Sequence, residues 1–323
     1  MLRPVSHVAA CYLAVVIRER ASVAEPRIRP TDANVWGPEA ALAYAADVTR
    51  RHSKTFYLGS RLFGRRKRKA VQAIYAACRM GDDAVDEARD TTDAFHRLNA
   101  WWDGIERAYA GTPKPAAPSE VALDWVLQRY DVPLSAFEEL RLGFESDLTL
   151  RCIATTDELM LYSRRVAGVV GLMIAPVAGY DGGEETLDAA VAMGEAMQVT
   201  NILRDVGEDL CRDRCYLPAD RMAVHGVREE DLRMGIVSEG YVSLLEEFAD
   251  LAEARYRDGW RGIPKLHGMA GIAVGAASLN YEAILHKLRQ NRYDNLSLRA
   301  YLRPHERLAL IPRAAMAVWS AGA

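Results

Sequence analysis

The chain has 323 residues, 50% of them hydrophobic and 26% charged, a composition that excludes a disordered or fibrous protein. A formal net charge of −3 provides no broad basic surface and makes nucleic acid a poor partner. Only 13 prolines and 23 glycines interrupt a largely helical spacing, and no alternating strand pattern or internal repeat is present, so one large all-α domain is expected.

In chain order, Val8 to Ile17 is an apolar stretch preceded by Arg3 and His7. It is shorter than the ~20 residues of a membrane span. It lacks a small-residue cleavage site and runs straight into Arg18-Glu19-Arg20. It reads as a short extra helix or the product of an upstream start codon rather than a secretory signal. Residues 1–38, with Pro26, Pro30 and Pro38, form an irregular lead-in, and 39–323 form the helical domain. Helical spacing runs from Glu39 to Arg51, breaks over His52 to Gly59, and resumes in a long helix over Lys67 to Glu87. The basic run Arg65-Arg66-Lys67-Arg68-Lys69 opens that helix, either as a solvated first turn or as a contact for anionic lipid head groups.

A helix is expected over Ala94 to Ala110, with Trp101 and Trp102 on its buried side. Gly111 to Ser119, with three prolines, reads as a loop. Helices follow over about 120–130, 134–150 and 156–179, then a turn at Asp181-Gly182-Gly183 and a long helix from Glu185 to Asp209. Tyr216-Leu217-Pro218 is extended, because the residue before proline avoids helical angles. The remaining helices cover about 229–235, 238–260 and 268–291, with one more near the C-terminus. The apolar stretches Val166 to Ala178 and Met269 to Leu279 are too short to span a bilayer. They read as buried helices whose small side chains leave room beside them.

Five scattered cysteines (Cys11, Cys78, Cys152, Cys211 and Cys215) suit a reducing cytoplasm better than a disulfide framework. Cys211 and Cys215 lack the second ligand pair that a zinc site requires.

Two segments carry chemistry. In Arg79-Met80-Gly81-Asp82-Asp83-Ala84-Val85-Asp86, Asp82 and Asp86 lie one turn apart on one helix face, behind the apolar run Val71 to Cys78. In Gln198-Val199-Thr200-Asn201-Ile202-Leu203-Arg204-Asp205-Val206-Gly207-Glu208-Asp209, Asp205 and Asp209 repeat the spacing, and Gln198 and Asn201 continue their face. Carboxylates at that spacing repel, and buried ones need partners. Two such faces opposed across a cavity would hold Mg²⁺, or Mn²⁺ in its place. Mg²⁺ bridges carboxylates to phosphate, so the expected ligand is a diphosphate.

These segments carry a family resemblance. His52-Ser53-Lys54-Thr55-Phe56-Tyr57-Leu58-Gly59, then Ala73 to Arg79 leading into Asp82-Asp83-Ala84-Val85-Asp86, resemble the squalene/phytoene synthases. So do Tyr162 to Gly171, Asn201 to Asp209 and Arg214-Cys215-Tyr216-Leu217-Pro218. The match covers nearly everything from about Tyr44 to Arg292 and is closest to the phytoene synthases of bacteria.

The resemblance implies a single-domain isoprenoid synthase fold, with helices around a central apolar cavity. It implies head-to-head condensation of two geranylgeranyl diphosphates, through a cyclopropyl diphosphate, to phytoene. It assigns metal binding to Asp82, Asp86, Asn201, Asp205 and Asp209, with Gln198 beside the metals. Ser53 and Thr55 would hold a diphosphate, and Arg79 and Arg204 would grip its oxygens. Tyr75, Tyr162 and Tyr281 would stand near the reacting carbons, with Phe56 and Tyr75 offering aromatic faces to cations.

Each assignment has a structural alternative. Ser53 and Thr55 can cap a helix, Tyr162 and Tyr281 can be core residues, and Arg79 can pair with Asp82 or Asp83. No NADPH is expected, and no C-terminal hydrophobic anchor is apparent. Farnesyl diphosphate, as in squalene or dehydrosqualene synthesis, is the alternative substrate. A non-catalytic assembly factor of the same fold is weighed against four intact aspartates. A head-to-tail prenyltransferase is weighed against the different wording of its acid-rich motifs. The expected location is the cytoplasm, with peripheral contact on the inner face of the membrane and with downstream carotenoid enzymes as partners.

Overall fold

A computed structural model describes residues 35–149 and 152–321, excluding the side chains of Lys54, Thr55 and Ala321. The stretch from Val8 to Ile17, with Cys11, lies outside the described residues. The first layer is built on α1 (Pro38–His52), α3 (Arg65–Asp86), α4 (Thr91–Tyr109) and α5 (Pro118–Leu127), which pack mutually. Proline opens both α1 and α5, where the N–H it lacks has no intrahelical partner anyway.

The second layer comprises α6 (Leu134–Thr149), α7 (Thr156–Ser163), a π-helical turn Arg164–Gly168 and α8 (Val169–Ala178). Through the centre runs α9 (Glu184–Leu210), 27 residues long and hence about 40 Å. It is embraced by α12 (Glu239–Trp260) and α13 (Ala270–Gln290), and α14 (Pro304–Ala321) covers α13. Among the described residues no β-strand forms, and the extended contacts are the isolated bridges Cys152–Cys215 and Tyr180–Leu266.

Four helices, α2 (Lys54–Ser60), α4, α7 and α12, start where a side chain supplies a missing acceptor. Ser53, Asp90, Thr155 and Ser238 each accept a hydrogen bond from a backbone N–H three residues on. Ser53 thereby turns the stretch expected as a break into a short helix, α2. Two further short helices are α10 (Ala219–Val224) and α11 (Glu229–Arg233); α10 has no counterpart in the sequence reading, since six residues carry too little periodicity.

The segment taken from sequence as a 13-residue apolar stretch is part of an unbroken helical run. Thr156–Ala178 has the length and hydropathy to cross a membrane, but 67% of its most apolar 18-residue stretch is buried inside the protein. Its glycines do not leave room beside it. A Cβ on Gly171 would come 2.5 Å from the Ala190 carbonyl oxygen, and one on Gly194 would come 2.4 Å from that of Ala167. Small residues here let α9 and the α7–α8 run approach backbone to backbone. Both α3 and α9 pack on α8 and make no extensive contact with each other.

Candidate active site

The first acid pair sits at the C-terminal end of α3, where Asp82 and Asp86 are both buried. Arg79, one turn earlier, places Nη1 2.8 Å from Asp82 Oδ2 and pairs through Nη2 with Asp83. It therefore joins the two acids as well as facing the site. Phe56 of α2 stacks on Tyr75 with ring centroids 5.4 Å apart. The Tyr75 hydroxyl is buried without a hydrogen-bond partner among the described residues. His52 lies against this group. Burial, then the Arg79 and Arg51 guanidiniums, push its imidazole down to about 4, so it is neutral at physiological pH. Ser53 caps α2, its Oγ accepting from Phe56 N at 3.2 Å, so its structural alternative is realised. The side chain of Thr55 lies outside the described residues.

The second pair sits near the end of α9. Gln198 and Asn201 are buried on that helix, and Asp205 and Asp209 are partly buried beyond them. Two guanidiniums clamp Asp205. Arg204 donates to Oδ1 and Oδ2 at 2.7 and 2.5 Å, and Arg299 donates to the same oxygens at 2.9 and 3.2 Å. Burial alone would raise Asp205, but Arg204 and Arg299 override it and hold the carboxyl down to about 2. Asp209 is pushed the other way, up to about 8, by burial and by the Asp205 charge beside it. Arg307 of α14 stands close enough to Arg204 and to Tyr281 of α13 to feel both, with burial and the Arg204 charge lowering Arg307.

Arg299 reaches Asp205 because the segment after α13 is sewn onto α9. Gly207 N donates to Asn295 O at 3.3 Å, Asn295 Nδ2 donates to Leu203 O, and Tyr241 Oη donates to Asn295 Oδ1 at 2.6 Å. Only a glycine admits that approach, since a Cβ on residue 207 would come 2.4 Å from Leu296 O.

Between the two pairs lies a cluster to which the sequence motifs assigned a role only for Tyr162. Pro218 keeps Leu217 extended, so Arg214 and Tyr216, two apart, face the same side. Backbone bonds from Ala219 to Ile153 O and from Asp220 to Ala154 O fix that strand-like segment beside α6. Both side chains thereby meet Asp147, whose Oδ1 accepts from Tyr162 Oη at 3.0 Å and from Tyr216 Oη at 3.2 Å. A cleft lined by Ile202, Val206, Asp209, Arg214 and Tyr216 continues toward the second acid pair. A separate cavity of about 430 Å³ lies behind α3, against α4 and α5, lined by Met80, Trp101, Ile105 and Leu123 and away from Asp82 and Asp86.

The structure thus gathers Phe56, Tyr75, Arg79 and Asp82 in one group and Arg204 and Asp205 in another, with Tyr162 between and Tyr281 beside Arg307. Asp147 was legible in principle. It falls on the stripe of Phe137, Leu140 and Phe144, a charge at a core position of a helix. Arg299 and Arg307 had no such signal, because one lies outside any helix and the other opens a terminal one.

Among the described residues no three His, Cys, Asp or Glu side chains are close enough together to hold a metal ion. Each acid pair still offers two carboxylates one turn apart, and Asp209 is short of positive charge. A hard cation with one or two protein carboxylates completes its shell with water and phosphate oxygens. This donor set therefore fits a cation that arrives with a diphosphate.

Residues 49–306 match the family described as squalene/phytoene synthase. The chain is 51% identical over 271 residues to a phytoene synthase of Thermus thermophilus, covering 84% of this chain and 91% of the relative. It is 36% identical to a 15-cis-phytoene synthase of Synechococcus elongatus, covering 82% and 89% of the two chains. Among solved structures it is similar to a dehydrosqualene synthase in complex with ligand, with TM-score 0.79, 28% identity and coverage of 87% and 98%. It is also similar to a squalene synthase of Alicyclobacillus acidocaldarius, with TM-score 0.73, 26% identity and coverage of 78% and 94%.

Proposed function

Because the chain belongs to the squalene/phytoene synthase family, we propose that its two acid pairs hold Mg²⁺ against the diphosphates of its substrates. The fold is the all-α isoprenoid synthase fold, and the protein is a prenyltransferase. It condenses two geranylgeranyl diphosphates head to head, through a cyclopropyl diphosphate, to phytoene, the first committed step of carotenoid biosynthesis. The observation that carries this reading is 51% identity to a phytoene synthase along most of both chains.

The residue roles extend this proposal. Asp82 and Asp86 of α3, and Asp205 and Asp209 with Asn201 of α9, would supply the carboxylate and amide oxygens that hold the metal. A divalent cation bound there neutralises charge on the leaving diphosphate. Arg79 and Arg204 sit beside the first acid of each pair and can turn their forks to phosphate oxygens. Gln198, with a buried Oε1 that has no hydrogen-bond partner among the described residues, extends the polar stripe. Phe56 on Tyr75, with Tyr162 and Tyr281, lines the apolar side where a carbocation must be kept from water.

No hydride donor is needed for a triene product, so NADPH is not required. A cytoplasmic enzyme with peripheral membrane contact is supported by Arg65 and Arg66 exposed at the start of α3. It is also supported by an apolar stripe on α14, where Leu308, Met316 and Trp319 are 64%, 60% and 67% exposed. The decisive experiment incubates purified protein with Mg²⁺ and either farnesyl or geranylgeranyl diphosphate, with and without NADPH, and identifies the extracted hydrocarbon. Phytoene from the twenty-carbon substrate without NADPH is expected. A thirty-carbon product alone would refute the substrate assignment.

A further inference from the structure

Asp147 is 3% exposed and lies in the apolar stripe of α6, yet the reaction as drawn gives it no task. Its Oδ1 receives both the Tyr162 and the Tyr216 hydroxyls. The two rings stack with centroids 5.2 Å apart. Arg214, the nearest cation, is engaged elsewhere. It donates from Nη1 to Tyr216 Oη at 3.0 Å and from Nη2 to the Asp147 backbone carbonyl at 2.9 Å, leaving Nη1 3.9 Å from Oδ1. Asp147 Oδ2 has no hydrogen-bond partner among the described residues. A carboxylate kept only as a structural counter-ion would take the guanidinium on both oxygens; this one is held back from it.

Three further observations place the cluster in the reaction space. Asp82, of the first acid pair, adds to the upward push on Asp147, and Asp209, of the second, adds to that on Tyr216, so the cluster lies in the field of both. Tyr162 lies two residues before the π-helical turn Arg164–Gly168, a distortion that costs regular hydrogen bonding and recurs at functional sites. With its proton committed to Asp147, Tyr162 has only lone pairs to offer on its other side.

We propose, resting on the prenyl-condensation reading above, that Asp147 is a positioning residue that acts through Tyr162, aiming its hydroxyl and receiving its proton. When the cyclopropane closes, a substrate C–H bond breaks and its electron pair forms the third ring bond. The released proton goes to the Tyr162 oxygen, and the proton already on that oxygen passes to Asp147 Oδ1. Tyrosine is neutral before and after, the carboxylate becomes a carboxylic acid, and the proton leaves to water once product departs. No electrons are exchanged with any cofactor. Burial, only partly offset by Arg214 and the two tyrosine hydroxyls, moves the Asp147 carboxyl up to about 7, where it can take and return a proton near neutrality. The charged and titratable groups facing it are Tyr162 from α7, Arg214 and Tyr216 from the extended segment, and Asp82 from α3.

The test uses full-length enzyme, geranylgeranyl diphosphate and Mg²⁺, and compares wild type, Asp147→Asn, Tyr162→Phe and the double variant. Asparagine keeps an acceptor oxygen for both tyrosines and cannot take the proton. Expected are a fall in kcat of about 100-fold for Asp147→Asn, KM within about threefold, and a double variant no slower than Tyr162→Phe. Wild-type kcat should rise with pH around 7, and that limb should vanish in Tyr162→Phe. An Asp147→Asn enzyme as fast as wild type, or losses that multiply in the double variant, would overturn the inference. If Asp147→Asn does not fold, persistence of the pH limb in Tyr162→Phe does the same. A wild type that forms no hydrocarbon overturns the enzymatic reading first, and the inference falls with it.

Discussion

Gly207 lies between the two acids of the second pair, and replacing it with alanine sets two effects of opposite sign against each other. In a helix interior, alanine is favoured over glycine by about 1 kcal/mol. Against that, the new Cβ would sit 2.4 Å from Leu296 O and 2.9 Å from Asn295 O, both backbone atoms that cannot swing aside. Ordinary contact requires the segment after α13 to retreat by close to 1 Å, which weakens the Gly207–Asn295 hydrogen bond and overpacks the junction. Overpacking costs about 1–3 kcal/mol and the hydrogen bond about 1 kcal/mol, so a net loss of about 2 kcal/mol is expected. In a chain of this size that lowers Tm by several degrees. The same retreat loosens Arg299 from Asp205, and misplacement of about 1 Å lowers kcat/KM by roughly 10- to 100-fold. Gly59→Ala is the control, since nothing lies within 4 Å of its Cβ position and α2 should be unharmed or stabilised. Melting curves and steady-state kinetics decide the matter. A Gly207→Ala protein that melts higher than wild type and keeps its kcat/KM would show that propensity wins and that the seam does not position Arg299.

Other expectations follow from the same geometry. Asp82→Asn and Asp205→Asn should each lower turnover by about 100-fold or more with helical circular dichroism unchanged; near-normal activity in both would break the metal assignment. Mg²⁺ alone should show no saturable binding below about 1 mM, because no three-carboxylate cluster is preformed among the described residues, and inorganic pyrophosphate should induce it. Tight binding of Mg²⁺ alone by titration calorimetry would contradict this. Asp147→Asn should also change the pH dependence of stability. The folded state holds the Asp147 proton up to about 7 while the unfolded chain releases it near 3.8, so wild-type stability falls between those values and levels off above them. The variant lacks this slope, gaining up to about 4 kcal/mol relative to wild type by pH 8. A variant whose advantage does not grow with pH, measured by denaturant unfolding, would refute the buried-carboxyl reading.

The parts of the molecule legible in the sequence are those written in helical periodicity. The acid faces on α3 and α9 could be read because Asp82 and Asp86, like Asp205 and Asp209, recur at one-turn spacing against apolar neighbours, a pattern that survives without coordinates. The short α2 and α10 could not, since a helix of six or seven residues is set by a cap such as Ser53 and by packing rather than by a repeating pattern. The helix over about 156–179 could be read because its apolar half, Val166 to Ala178, continues the helical spacing of a polar first turn that Thr155 caps.

What closes the site is non-local, and that is why it escapes a linear reading. Arg299 belongs to the acid face of α9 only because Asn295 bonds to the backbone of Leu203 and Gly207, about ninety residues earlier in the chain. Arg214 and Tyr216 belong to Asp147 only because Pro218 straightens one segment and residues 152–154 accept it alongside. In both places an unremarkable backbone contact delivers a charged or phenolic group to a carboxylate, and the carboxylate's acidity follows from whether the guanidinium arrives. Asp205 receives two and stays ionised, whereas among the described residues none reaches Asp209 or Asp147 at bonding distance, and both are pushed toward protonation. Two kinds of carboxylate on one interior, one firmly charged and one able to hold a proton near neutrality, are what a reaction needs when it expels an anion and then sheds a proton.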